Sequence, residues 1–208
     1  MRRKRSATAM ALLVLWAMTV MPSDRMLAQD ATADGPQYDA AGKLLRPADY
    51  REWVYLTSGL GMTYGPAAPA ANRPPLFDNV FVNRASYREF MATGKWPERT
   101  IFVLEVREAP ENVSINNGGR TQGAVRALEV AVKDQRHFPE TTWAYFEFGA
   151  PPNLVSATAP LPSTASCYTC HKNNTAVEQT FVQFYPTLMD VARAKGTIRA
   201  DYDPARKP

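Results

Sequence analysis

Arg99 to Arg107 reads RTIFVLEVR, and five of its nine residues (Thr100, Ile101, Phe102, Val103, Val106) are β-branched or aromatic. Such side chains lose rotamer freedom in a helix and pack well on a pleated surface, so the run is read as a strand. Two more β-rich runs follow. Ala124 to Lys133 (AVRALEVAVK) alternates well enough to be a partner strand, and Thr141 to Phe148 (TTWAYFEF) is a strand dense in aromatics. Glu111 to Gly123 between the first two is a hairpin-like loop bearing glycine and asparagine. Three neighbouring strands do not suit a helical bundle, and neither do 17 prolines and 11 glycines spread over 208 residues.

Upstream, Arg84 to Thr93 (RASYREFMAT) has helical spacing, with Asn83 placed to cap it and Gly94 to stop it. Asn79 to Asn83 (NVFVN) is a short strand before it, and Thr57 to Pro75 is a glycine- and proline-rich loop. Asp49 to Leu56 is a helical turn running into a strand. Residues 34–48 are polar, with a turn at Gly42. Downstream, Thr175 to Lys195 is expected to be helical and interrupted at Pro186. The expected fold is therefore α+β: one antiparallel sheet with flanking helices, and a Cys-x-x-Cys-His segment towards the C-terminus.

Both cysteines of the chain lie in Cys167-Tyr168-Thr169-Cys170-His171. Four chemistries use such a pair. A disulfide leaves His171 without a role. A thioredoxin-like redox pair follows a strand in a βαβ unit, whereas a proline-rich loop, Pro151 to Ser163, precedes this one. Structural zinc takes four N or S ligands, and the only other histidine, His137, sits in a loop-like Arg136-His137-Phe138-Pro139. In haem c attachment each thiol adds to one vinyl group of the haem, so two cysteines must share one turn, and the adjacent histidine falls beneath the iron. Spacing, export and His171 all agree with this fourth reading: one covalent haem c on Cys167 and Cys170, with His171 as its iron ligand.

Export is read from the N-terminus. Arg2, Arg3, Lys4 and Arg5 precede an apolar run, Ala9 to Met21, and small residues follow at Ala28, Ala31 and Ala33. Thirteen apolar residues fall short of the ~20 that cross a bilayer. Residues 1–28 are thus expected to be a signal peptide, with 29–208 a single periplasmic domain. The segment 1–28 holds five of the 24 basic and one of the 20 acidic residues. The remaining chain is formally neutral, so the overall net charge of +4 makes no case for nucleic-acid binding.

Taken together, several segments resemble the cytochrome P-460 family and its relative cytochrome c′-beta. They are Tyr50 to Val54, Phe77 to Phe81, Thr93 to Pro97, Ala127 to Asp134, Phe138-Pro139 with Trp143 to Phe146, the late Cys-x-x-Cys-His, and Phe181 to Leu188. The resemblance spans about residues 36–190. It implies an antiparallel sheet with helices, often a homodimer, and a five-coordinate haem with an open or weakly occupied distal face. Members with full activity oxidise hydroxylamine and pass electrons to a soluble cytochrome. In those, a strand lysine directly before a glutamate links to the haem ring, and a distal glutamate handles protons.

The matching place here is Leu104-Glu105, so the linking lysine is absent, and Glu129 matches the distal glutamate. That departure resembles cytochrome c′-beta, whose apolar distal face admits nitric oxide. Phe102 shares the parity of Leu104 on the strand, so both are expected to face the haem. Phe81 is a further candidate on weaker grounds. A core role is the competing reading for each of these three, and a surface acid for Glu129. Met189, a candidate distal ligand, is read as core packing. Nitric oxide binding and hydroxylamine oxidation stay open as the two functions.

Overall fold

A computed structural model describes residues 34–64 and 74–205. The expected signal peptide, 1–28, lies outside the described residues. Among the described residues no helix is long and apolar enough to cross a membrane.

The protein is α+β; the described residues form two antiparallel sheets and three α-helices. Five strands form the main sheet in sequence order: β2 (Val54–Leu60), β3 (Leu76–Val82), β4 (Thr100–Glu108), β5 (Val125–Lys133) and β6 (Trp143–Glu147). Two short strands, β1 (Leu44–Leu45) and β7 (Ala157–Thr158), pair with each other. The helices are α1 (Arg84–Thr93), α2 (Ser166–Asn174) and α3 (Pro186–Lys195).

Period-two alternation gives the main sheet two faces. On the back, Ile101, Val103, Leu128, Val130, Val132 and Phe146 pack under Leu44, Tyr50 and Trp53 of the N-terminal segment. On the front, Val82, Phe102, Trp143 and Tyr145 pack against Phe90 of α1, Trp96, and Leu188 and Ala192 of α3. Trp96 anchors this half. Its ring lies 4.1 Å from Phe90 and 4.8 Å, edge-on, from Phe102, and its Nε1–H donates to Thr180 Oγ1 at 2.9 Å. A buried indole is stable there because its one donor is paired.

Helix α1 begins and ends where the sequence places it, and Gly94 closes it at φ 72°, a left-handed value that glycine adopts at little cost. Its cap differs from expectation. The Asn83 side chain accepts from Ile101 N at 3.1 Å, so it serves the sheet. The Asp34 carboxylate instead accepts Arg84 N at 2.7 Å, and its charge suits a helix N-terminus. Pro186 also differs: it opens α3 rather than interrupting a longer helix. Proline at the first helical position lacks only an N–H that has no partner in the helix anyway. Strand β2 runs on to Leu60, into the start of the expected loop, and β3 begins at Leu76, three residues before the expected strand.

The back face carries a buried carboxylate. Glu105 is 2% exposed and accepts hydrogen bonds from Tyr50 Oη, Arg51 and Arg107. Burial pushes its carboxyl up, but the hydrogen bonds from Arg107, Tyr50 and Arg51 outweigh that and hold it down at about 2.

Candidate functional site

Rows of the sheet register define the site. Thr57, Val80, Leu104, Glu129 and Glu147 are successive cross-strand partners from β2 to β6, and all five line one front-face cavity of about 310 Å³. The next row adds Phe102, Ala131 and Tyr145. A second cavity of about 460 Å³ adjoins it and shares the walls of Met62, Tyr64, Cys170, Phe181 and Phe184.

Opposite the sheet stands α2. Ala165 N bonds Pro162 O at 2.8 Å and turns the proline-rich link into the helix. Within α2, Cys167 and Cys170 are three residues apart and Cys167 and His171 four, so the three side chains share one helical face. All three line the front cavity, and the two cysteines are not joined by a disulfide. Burial, then the nearby Glu129 charge, raises the Cys167 thiol, which keeps it protonated at neutral pH.

His171 is fixed from three sides. Its Nδ1 lies 2.8 Å from Gln179 O, and its ring sits between Tyr145 at 4.5 Å and Phe181 at 4.6 Å. A carbonyl can only accept, so Nδ1 carries the proton and Nε2 keeps its lone pair. Burial lowers the His171 pKa, against the backbone bond to Gln179, and the imidazole is neutral. A neutral imidazole with its second nitrogen tied to a carbonyl is the state in which histidine binds a metal.

Three acids reach the cavity: Asp78, Glu129 and Glu147. The Glu129 carboxyl is pushed up by burial, then by the charges of Glu147 and Asp78. Asp78 is raised by burial. Tyr64 is pushed up to about 12, first by burial and then by Asp78. Among the described residues no lysine lines either cavity. Lys133 faces the front but is spent elsewhere, with its Nζ donating to Trp96 O at 2.7 Å and Glu178 Oε2 at 2.8 Å.

Leu104, Phe102, Glu129, Cys167, Cys170 and His171, all singled out from the sequence, are thus brought together at one cavity. Phe81 is not. It sits beside Tyr50 at 5.4 Å and Tyr55 at 5.5 Å and joins the back-face core, because its neighbour Val80 takes the front. Met189 is buried in the front core and does not line the cavity. His137 does not line the cavity with the thiols; it pairs with Asp134 at 2.8 Å and stacks on Tyr38, so it supplies no fourth ligand for a zinc site there.

The donor set fits a haem. The cavity is predominantly apolar, its volume is that of a cofactor pocket, and a neutral, oriented imidazole shares one wall with two thiols at helical spacing. Fold and site together define a haem-binding cytochrome built on an antiparallel sheet. The family model of cytochrome P-460 matches residues 47–182, and the chain belongs to the cytochrome P-460 family. It is therefore a haem cytochrome, and iron is its metal. Among curated proteins, none matches the chain.

Proposed function

We propose that the chain is a periplasmic mono-haem c-type cytochrome whose open haem face binds nitric oxide. Cys167 and Cys170 would each add S–H across one haem vinyl group, sulfur to one carbon and hydrogen to the other, giving two thioether bonds. His171 would offer Nε2 to the iron. The bound haem supplies an iron centre that takes small neutral ligands and exchanges electrons.

The observation that carries this reading is the row Val80, Leu104, Glu129. At the position where lysine links to the ring in the hydroxylamine-oxidising members, this chain presents leucine, and no other lysine of the described residues lines the cavity. Leu104 and Phe102 offer no hydrogen bond to a bound ligand. That lack disfavours dioxygen, whose bound form is polar, relative to nitric oxide. The positive cluster and apolar run at the N-terminus support export, and the family resemblance supports a homodimer.

A second reading has one observation in its favour. Glu129, half-buried and with its pKa raised, is suited to accept and hand on protons at the cavity, and oxidation of hydroxylamine releases protons. In that reading the electrons pass to a soluble cytochrome.

The optical spectrum of the ferrous protein separates the two. Nitric oxide binding predicts an ordinary high-spin haem c Soret band that shifts on adding nitric oxide, and negligible reduction of an electron acceptor by hydroxylamine. A far-red-shifted Soret band, or hydroxylamine turnover matching a lysine-bearing family member, would establish the second reading instead.

A further inference from the structure

We infer that Arg199 and Glu178 are positioning residues for His171: they fix the Gln179 carbonyl that receives its Nδ1–H, and so set the strength of the imidazole as an iron ligand. The inference rests on the reading of His171 as the iron ligand.

The starting observation is backbone strain next to the acceptor. Glu178 has φ 50°, a left-handed value in a residue with a side chain. Such a conformation persists only where its surroundings hold it. Here they hold it at both ends. The Glu178 carboxylate accepts from Trp96 N at 3.2 Å and from Lys133 Nζ at 2.8 Å. Its carbonyl lies 2.8 Å from Thr175 Oγ1 and 3.4 Å from Arg199 Nη1. Thr180 N closes the tight turn onto Val177 O at 2.9 Å, with Glu178 and Gln179 at its centre. The strained residue therefore directly precedes the one carbonyl that orients the His171 ring.

Arg199 ties the two partners of that hydrogen bond together. Its Nη1 donates to Lys172 O at 2.5 Å, at the end of the helix bearing His171, and reaches Glu178 O in the turn bearing the acceptor. The same nitrogen lies 3.1 Å from Thr175 Oγ1, which is itself 2.6 Å from His171 O. Arg199 N bonds Ala176 O at 2.9 Å, and Asp201 holds the other edge of the guanidinium. One planar, permanently charged group thus spans donor and acceptor segments and fixes their separation. Arg199 lies beyond the matched residues 47–182, so the family match does not include it.

The chemical consequence follows from the Nδ1 bond. A firm acceptor at Nδ1 gives the ring more imidazolate character and makes Nε2 more basic. A loosened Gln179 carbonyl weakens electron donation to the iron. That lowers the iron–histidine stretching frequency and raises the midpoint potential.

The test uses the full haem-loaded chain. Resonance Raman of the ferrous form reads the iron–histidine stretch, redox titration reads the potential, and a melt reads stability. Arg199→Ala should lower the stretch and raise the potential, with Arg199→Lys retaining part of the wild-type value. Leu188→Ala, a core truncation in α3, should lower Tm while leaving stretch and potential unchanged. Should Arg199→Ala fail to fold, Thr175→Val removes only the hydroxyl between His171 O and Glu178 O and should shift both readouts the same way. Wild-type stretch and potential in every folded clamp variant would overturn the inference. Absence of a histidine–iron stretch in the wild-type protein would overturn the ligand assignment itself, a separate outcome seen before any variant is made.

Discussion

Leu104 on β4 and Glu129 on β5 are direct cross-strand partners, and both face the front cavity. Directly opposed side chains lie close enough to interact. A lysine at position 104 would set a positive charge beside Glu129, whereas leucine leaves the charges of Glu147 and Asp78 unopposed from that side. One residue along β4, Glu105 faces the back and meets two arginines. The two neighbouring rungs therefore place acids in opposite electrostatic surroundings, and their pH signatures have opposite sign.

For Glu129 the folded-state pKa lies above the ordinary 4.5. The folded state then binds more protons than the unfolded one between those two values, so stability falls as pH rises through that window. Glu129→Gln removes this loss. The variant is expected to gain in Tm relative to wild type from pH 4 to pH 8. A difference in Tm that stays flat over this range, or that shrinks, would contradict burial of the charge.

Glu105 behaves in the reverse way. Its stabilisation is present above about 4.5 and is lost as pH falls towards about 2. Glu105→Ala leaves Arg51, Arg107 and the Tyr50 hydroxyl without their shared acceptor; because both arginines reach solvent, the cost is about 1.5–3 kcal/mol. Urea unfolding at pH 7 measures it, and a loss below about 1 kcal/mol would show that water replaces the carboxylate.

Cys167→Ala with Cys170→Ala is expected to leave haem that acid-acetone extracts fully, whereas wild-type haem stays with the chain. The intact mass of the exported wild-type protein should exceed that of its apo chain by one haem. Wild type made with a working maturation system yet free of haem would remove the basis of the proposed function.

Phe102 joins the core to the cavity. It is 6% exposed, packs edge-on against Trp96 and lines the front cavity. Phe102→Ala should cost about 3–5 kcal/mol and speed carbon monoxide rebinding after photolysis by clearing the wall. Unchanged rebinding with the full stability loss would assign Phe102 to the core alone.

The residues that sequence made legible are those whose side chains carry the signal. Helix α1 is bounded by a polar residue and Gly94, strand β4 is announced by its β-branched run, and the shared parity of Phe102 and Leu104 places both at the cavity. The same parity argument shows why Phe81 fails: Val80 already occupies the front. Asp78 lies one residue before the expected strand Asn79 to Asn83, so no strand parity placed its side chain at the cavity. Gln179 could not be found at all. It acts through its backbone carbonyl, which leaves no trace in residue identity. Asp34 caps α1 from 50 residues away, a distance over which local motifs carry no information.

The main sheet has a consequence for how the molecule assembles. Every strand from β2 to β6 pairs only with its neighbours in sequence. Such a meander keeps contacts local and loop-closure costs low, which favours rapid folding. Its front wall is complete by Glu147, twenty residues before Cys167 is reached. The chain thus lays down a largely apolar platform before the helix that bears Cys167, Cys170 and His171 is reached.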